Sequence, residues 1–246
     1  VCTIFCFLSG INFTLLYASV VGLKFKHLIK NSEFKFYSIM IAGFSLFIMI
    51  ELIFRLNYDV EHAFRSSIFQ VVSFITTTGL FSDDAAKWPH VTWVVLAACM
   101  FFGGSSGSTS GGIKSIRGVM LLKVVKNEFR QILHPNAVLP MKIDGYNVQM
   151  SKRVTLLGFI GLYLFLSVIC AFTMIAAGID STNSMTITLS CLGNVGPTLG
   201  LEIGPTMSWN ELPDFAKWIS SFLMLVGRLE LFSVLVLFTP SFWKEN

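Results

Sequence analysis

The sequence predicts an all-α membrane protein built from tandem units, each a span, a short re-entrant helix, a loop and a second span. Three observations lead there. Apolar residues make up 54% of the 246 positions and charged residues only 13%, with a mean hydropathy of +0.70, well outside the balance of soluble domains. Several apolar runs reach the roughly 20 residues that a bilayer crossing needs. Two others are too short to cross, and each stops at a cluster of glycine and small polar residues.

The runs expected to span are Val1 to Leu23, Phe36 to Leu56, Val154 to Ala177 and Trp218 to Phe238. A fifth, Val91 to Val125, is interrupted by an unbroken Gly/Ser/Thr segment from Gly103 to Gly112. The short runs are Ser66 to Ile75 and Met185 to Leu192, which should dip in and return. The chain opens at Val1 inside an apolar run, without Met or a basic leader, so a preceding portion is expected.

Charge placement supports that count. Lys24, Lys26, Lys30 and Lys35 follow the first run, and Lys123, Lys126, Arg130, Lys142, Lys152 and Arg153 follow the broken one. Both groups belong on the cytoplasmic side, which holds only if the short run between them re-enters rather than crosses. The opposite face carries Asp59, Glu61, Asp83, Asp84, Asp180, Glu202, Glu211 and Asp214 against fewer cations, a balance suited to a cation vestibule. Phe36 to Val125 and Val154 to Phe238 share the same order of elements. Side-chain identity between the two copies is weak.

The short runs end in Thr76-Thr77-Thr78-Gly79 and in Gly193-Asn194-Val195-Gly196-Pro197. Glycine and proline stop the helix there, and an extended strip at membrane depth must line a polar cavity. Stacked carbonyl oxygens of Thr76, Thr77, Thr78, Gly79, Asn194, Val195 and Gly196 could replace the water shell of a dehydrated cation. Each short helix would aim its negative C-terminal dipole end at that ion. The alternative is an ordinary extracellular turn after an interfacial helix.

Gly103, Gly104, Gly107, Gly111 and Gly112 lie in a segment of poor helix propensity, expected to unwind below the strips into a flexible plug or gate. The alternative, a GxxxG packing face, has the spacing at Gly103, Gly107 and Gly111. A phosphate loop is excluded, because Ile113 separates Gly112 from Lys114-Ser115 and no strand precedes it. Arg228, mid-way along the last run, should face a water-filled path and bond carbonyls of the glycine segment. Its alternative is an ion pair with Glu230 or Glu51 across helices, although Glu51 and Arg55 are spaced as an ordinary i,i+4 pair.

Other chemistry finds little support. Cys2, Cys6, Cys99, Cys170 and Cys191 lie singly beside apolar residues and are expected to pack as small hydrophobes. His27, His62, His90 and His134 are scattered, with no metal-ligand spacing. Trp88, Trp93, Trp209, Trp218 and Trp243 fall near span ends, as interfacial anchors do. No nucleophile and base share membrane depth, so an enzyme is not expected.

Each unit resembles the M1, pore helix, filter, M2 module of potassium channels, with re-entrant filter loops. Taken with Gly103 to Arg117, His134-Pro135-Asn136-Ala137 and Gly227-Arg228-Leu229-Glu230 running to Trp243, the chain resembles the C-terminal half of the Trk potassium-uptake family, in its TrkH-like membrane subunits. The resemblance implies residues 1–33 as the last span of a preceding repeat with its basic linker, 34–140 as a third M1-P-M2 repeat with a broken M2, and 141–246 as a fourth. It implies potassium as the transported ion, bound at the strips, with no organic cofactor in this chain. The glycine loop would gate, with Arg228 as the pore-facing arginine. A homodimer, a cytosolic nucleotide-binding regulatory ring of the TrkA type, the bacterial cytoplasmic membrane and no nucleic-acid partner are implied as well. Ser110 departs from the family pattern, which tends to glycine there, and Asn194-Val195 replaces the third repeat's Thr77-Thr78. A sodium-conducting relative, a cation symporter and a non-conducting assembly subunit are the alternatives.

Overall fold

The computed structural model describes residues 1–23, 25–136, 139–199, 209–229 and 231–243, leaving side chains aside at 25, 86, 211 and 241. Glu230, Glu202 and Ala137 therefore lie outside the described residues. Among the described residues eleven α-helices carry the fold: α1 Cys2–Ser9, α2 Phe13–Val21, α3 Phe25–Lys30, α4 Ser32–Leu56, α5 Val60–Ile75, α6 His90–Phe101, α7 Ser115–Leu133, α8 Met150–Ala176, α9 Ser181–Gly193, α10 Asp214–Arg228 and α11 Leu231–Val236. Between α7 and α8 stands a two-stranded hairpin, β1 Lys142–Ile143 and β2 Tyr146–Asn147.

By length and composition, α4 and α8 are the helices that can cross a membrane on their own. Asn31 caps α4, its side chain accepting from Phe34 N at 3.0 Å, and Asn57 ends it in the left-handed region. Short α5 packs on α4, and short α9 packs between α8 and α10. The polarity of this packing is inverted relative to a soluble protein. Large apolar side chains such as Ile39, Phe54, Phe165 and Phe172 face outward. Ser66, Ser67, Gln70 and Ser73 of α5 are buried, as are Asn183, Ser184, Thr188 and Ser190 of α9. Lipid is the solvent that rewards apolar side chains outside and small polar ones within.

Three expectations need correction. Val1 to Leu23 is not one straight span: it breaks at Gly10-Ile11-Asn12, and α1 and α2 meet at 109°. Asn12 restarts the helix by accepting from Leu15 N at 3.1 Å, and Gly10 O accepts from Ser105 N of the glycine segment at 2.8 Å, so the broken turn's carbonyl is satisfied from outside. The last run, Trp218 to Phe238, is likewise split, with α10 ending at Arg228 and α11 starting at Leu231. Trp88 and Trp93 are buried rather than interfacial, with Trp93 Nε1 donating to Ala85 O at 2.9 Å, whereas Trp218 and Trp243 are exposed. Among the cysteines, Cys99, Cys170 and Cys191 are buried but Cys2 is exposed, and all are free thiols.

Gly10 is where the first break touches the rest of the molecule. A Cβ there would overlap the Tyr37 hydroxyl and lie 2.8 Å from Thr76 Cγ2. Gly10→Ala should therefore destabilise the full-length protein by about 1–3 kcal/mol, the usual cost of overpacking. A thermal midpoint in detergent equal to that of the parent would show that the break is not held by this contact.

Candidate functional site

Two strips of irregular backbone follow the C-termini of α5 and α9 and repeat one another residue by residue. Thr77 and Asn194 both adopt left-handed conformations, with φ of 55° and 56°. Two residues later Gly79 and Gly196 have φ of 73° and 106°. Thr78 N donates to Ser73 O at 2.8 Å, and Val195 N donates to Ser190 O at 3.0 Å. The serine hydroxyls pin the strips from behind with a one-residue offset: Leu80 N donates to Ser73 Oγ at 2.7 Å, whereas Pro197 at the matching place has no N–H and Gly196 N donates to Ser190 Oγ at 3.0 Å. Weak side-chain identity thus conceals a close match in backbone and in back-face hydrogen bonds.

Amide groups of the strips point back to their own helices, while their carbonyls do not. Among the hydrogen bonds of the described residues, none ends on the carbonyls of Thr76, Thr77, Thr78, Gly79, Asn194, Val195 or Gly196. The two strips adjoin, since a Cβ on Gly79 would overlap the Val195 carbonyl and sit 3.0 Å from Pro197 Cδ. Only glycine offers both the positive φ and the close approach.

The glycine segment lies directly against this junction. It is non-helical throughout Gly103 to Gly112, with Gly107 and Gly112 at φ of 75° and 65°. Its neck is tied by a parallel bridge between Phe102 and Ile113, with Gly103 N to Ile113 O at 2.8 Å, Ile113 N to Phe101 O at 3.1 Å and Ser115 Oγ to Gly103 O at 2.9 Å. Gly111 N donates to Thr77 Oγ1 at 2.9 Å, and a Cβ on Gly111 would overlap Gly193 O. Inside the loop, Ser110 Oγ accepts from Gly104 N at 2.9 Å and shares a 2.7 Å hydrogen bond with Ser108 Oγ. The segment is a braced loop rather than a loose tether.

Arg228 completes the cluster. Its Nη1 donates to Thr109 O at 2.9 Å. Glu51 instead pairs with Arg55, at 2.7 Å, so an ion pair between Arg228 and Glu51 is not what the structure holds, and Glu230 lies outside the described residues. Oriented to satisfy both neighbours, the Asn194 amide donates to Met224 O at 3.2 Å and accepts from Arg228 N at 3.1 Å. The second strip therefore grips the helix end that presents the arginine. Below the loop is a cavity of about 350 Å³ lined by Thr109, Lys114, Arg117, Tyr163 and Arg228 among others. Lys114 Nζ donates to Ser110 O, and the Arg117 guanidinium stacks 3.8 Å over the Phe159 ring.

The profile of TrkH, described as a cation transport protein, matches residues 1–245. The chain belongs to the TrkH family. It is 33% identical over 245 residues to the Trk system potassium uptake protein TrkH of Halomonas elongata, covering all of this chain and 50% of that protein. It is 34% identical over 245 residues to the protein of the same name in Escherichia coli K12, covering 98% of this chain and 50% of the relative. The crystal structure of the potassium transporter TrkH from Vibrio parahaemolyticus superimposes with a TM-score of 0.91 at 33% identity, over 98% of this chain and 52% of that one. The chain thus spans about half the length of these TrkH-family relatives.

Some residues at this TrkH-family junction carry sequence signals that hydropathy passes over. Ser9-Gly10-Ile11-Asn12 contains a helix stop and an N-cap inside an apolar run. Ile143-Asp144-Gly145-Tyr146 has the Asp-Gly pair of a two-residue hairpin, with φ of 48° and 90° at its centre. Glu33 follows a basic linker and reads as an ordinary first-turn acid, yet it is buried.

The serine pins give a direct test of the strips' bracing. Ser73→Ala removes the hydroxyl that both accepts from Leu80 N and donates to Leu80 O at 2.7 Å, whereas Ser190→Ala removes a single acceptor at Gly196 N. The first should cost about 1–3 kcal/mol and the second less, read as thermal midpoints in detergent. Equal and negligible shifts for both would show that the strips are braced elsewhere.

Proposed function

We propose that this chain is the filter- and gate-bearing half of a potassium-uptake pore in the bacterial cytoplasmic membrane. The observation that carries the proposal is the junction of two conformationally matched strips whose carbonyls accept no hydrogen bond among the described residues. Thr76 and Val195 are buried and the other strip residues border open space, so these carbonyls stand at the edge of a space without a partner among the described residues. A desolvated monovalent cation passing along the strips supplies one, and the negative ends of α5 and α9 add to its attraction. Thr76, Thr77, Thr78, Gly79, Asn194, Val195 and Gly196 are assigned to the ion path on that basis. The relatives' designation as Trk system potassium uptake proteins supports potassium as the ion. Permeation needs no bond to form or break, so no catalytic residue is assigned.

Gating is assigned to the loop at Gly103, Gly104, Gly107, Gly111 and Gly112 together with Arg228. Gly111 N on Thr77 Oγ1 sets the loop against the first strip, and Arg228 on Thr109 O holds its far limb. A guanidinium about 7 Å from a potassium ion raises its energy by roughly 2 kcal/mol at an effective dielectric near 20, enough to lower occupancy about thirtyfold. The matched strips support a division into residues 1–33, 34–140 and 141–246. A homodimer and a cytosolic nucleotide-binding regulator of the TrkA type complete the proposed assembly. Symport is the weaker reading, because Glu51 is engaged by Arg55 and offers no free coupling carboxylate.

Two measurements on the full-length protein in liposomes test these assignments. Gly79→Ser places a side chain at φ 73° against the Val195 carbonyl, a conformation that costs a non-glycine residue about 1–2 kcal/mol. The potassium over sodium permeability ratio should fall several-fold, and an unchanged ratio removes Gly79 from the selective path. Arg228→Ala should raise rubidium flux per folded molecule by up to about thirtyfold, the occupancy factor above, and a partial deletion of Gly104 to Gly111 should separately raise it as well. Lower thermal stability without higher flux in both variants would assign the loop and the arginine to packing alone.

A further inference from the structure

The buried carboxylate of Glu33 lies outside the ion path and the gate described above, yet it touches two parts of the gating segment at once. Its Oε1 accepts from Ser106 N at 2.5 Å and from Ile116 N at 3.1 Å. Ser106 is in the turn of the glycine loop, and Ile116 is the second residue of α7. The side chain is only 6% exposed. A carboxylate taken out of water needs strong donors, and the open amides of a helix N-terminus, at the positive end of its dipole, are such donors. The loop and the helix that follows it are thus fastened to one atom of α4, a helix distant in sequence.

One residue upstream the same turn of α4 is fastened again. Asp144, at the tip of the hairpin, accepts from Ser32 N at 3.0 Å, Ser32 Oγ at 2.6 Å and Asn31 Nδ2 at 3.2 Å. Its backbone is held in the turn by the register Ile143 opposite Tyr146. Lys123 Nζ of α7 donates to Lys142 O at 2.6 Å, tying the hairpin to the helix behind the loop. The hairpin tip, Asn31-Ser32, Glu33 and the loop turn form one continuous chain of hydrogen bonds on the lysine-rich side of the protein.

We propose that Glu33 is a positioning residue that latches the glycine loop in its closed place, and that Asp144 fixes the latch by holding the first turn of α4. The latch rests on the reading that the loop gates the path. It acts through the loop and touches no ion. Glu33 restrains the limb of the loop opposite to the one that Arg228 holds, so the closed loop is gripped at Ser106 from one side and at Thr109 from the other. Displacing the hairpin shifts Asn31-Ser32, withdraws Glu33 and frees the Ser106 limb, which makes the hairpin the lever of the gate.

The experiment uses the full-length protein in liposomes, with rubidium flux and the rate at which a membrane-impermeant methanethiosulfonate modifies Ser106→Cys from the lysine-rich side. Both the reference and the variants carry Ser106→Cys, whose backbone N–H is retained. Glu33→Ala should raise both flux and modification rate by roughly tenfold, the worth of a charge-assisted hydrogen bond. Glu33→Gln, which keeps an acceptor oxygen, should recover most of the restraint, and Asp144→Ala should act in the same direction as Glu33→Ala but less. If Glu33→Ala lowers the folded yield, a separate Ser106→Pro variant without the cysteine, compared with the parent by flux alone, removes the loop's donor while leaving the carboxylate on Ile116 N, and should raise flux alike. A modification rate unchanged in Glu33→Ala, or equal rises in Glu33→Ala and Glu33→Gln, overturns the latch. A faster modification without a rise in flux, alongside a loop deletion that also leaves flux unchanged, keeps the latch and rejects the gate.

Discussion

Non-helical backbone survives at membrane depth only where the protein closes around it and meets its amides and carbonyls. Four irregular segments obey that constraint here by meeting one another. The turn at Gly10 takes up an amide of the glycine loop at Ser105, the loop donates to Thr77 of the first strip through Gly111, and Gly193 and Asn194 of the second strip abut Gly111. The inverted burial of α5 and α9, with serines, threonines and amides inside, supplies the polar surroundings that such a junction needs.

Where hydrogen bonds go decides what is left over. The amides of both strips bond back to their own helices, among them to Ser73 and Ser190. Their carbonyls accept no hydrogen bond among the described residues. An opposite arrangement governs the cavity below, where Lys114 and Arg228 are met by neutral carbonyls and Arg117 by an aromatic face.

Much of this was legible in the sequence because its signals are abrupt. An apolar run halted by Thr-Thr-Thr-Gly or Gly-Asn-Val-Gly-Pro cannot continue as helix, and ten consecutive Gly, Ser and Thr residues interrupt any span. Arg228 stood out by its cost in an apolar run. What escaped is what hydropathy averages away. Gly10 and Asn12 are two residues in a run that otherwise scores as a single crossing, so its 109° bend was invisible. Trp88 and Trp93 were assigned by position, whereas packing took them inside. Glu33 and Asp144 act only through partners roughly seventy or more residues away, a relation that no local pattern encodes.

Joining successive units in one chain frees equivalent positions to diverge. Thr77 and Asn194 occupy the same left-handed point of their respective strips, yet their side chains reach in different directions. The threonine hydroxyl takes an amide of the glycine loop, and the asparagine amide clasps the end of α10 at Met224 and Arg228. In a ring of identical subunits a residue chosen to hold one neighbour would be imposed at every symmetry-related place. Covalent fusion removes that obligation, so a single backbone shape can be kept in both strips while each copy's side chain holds a different neighbour.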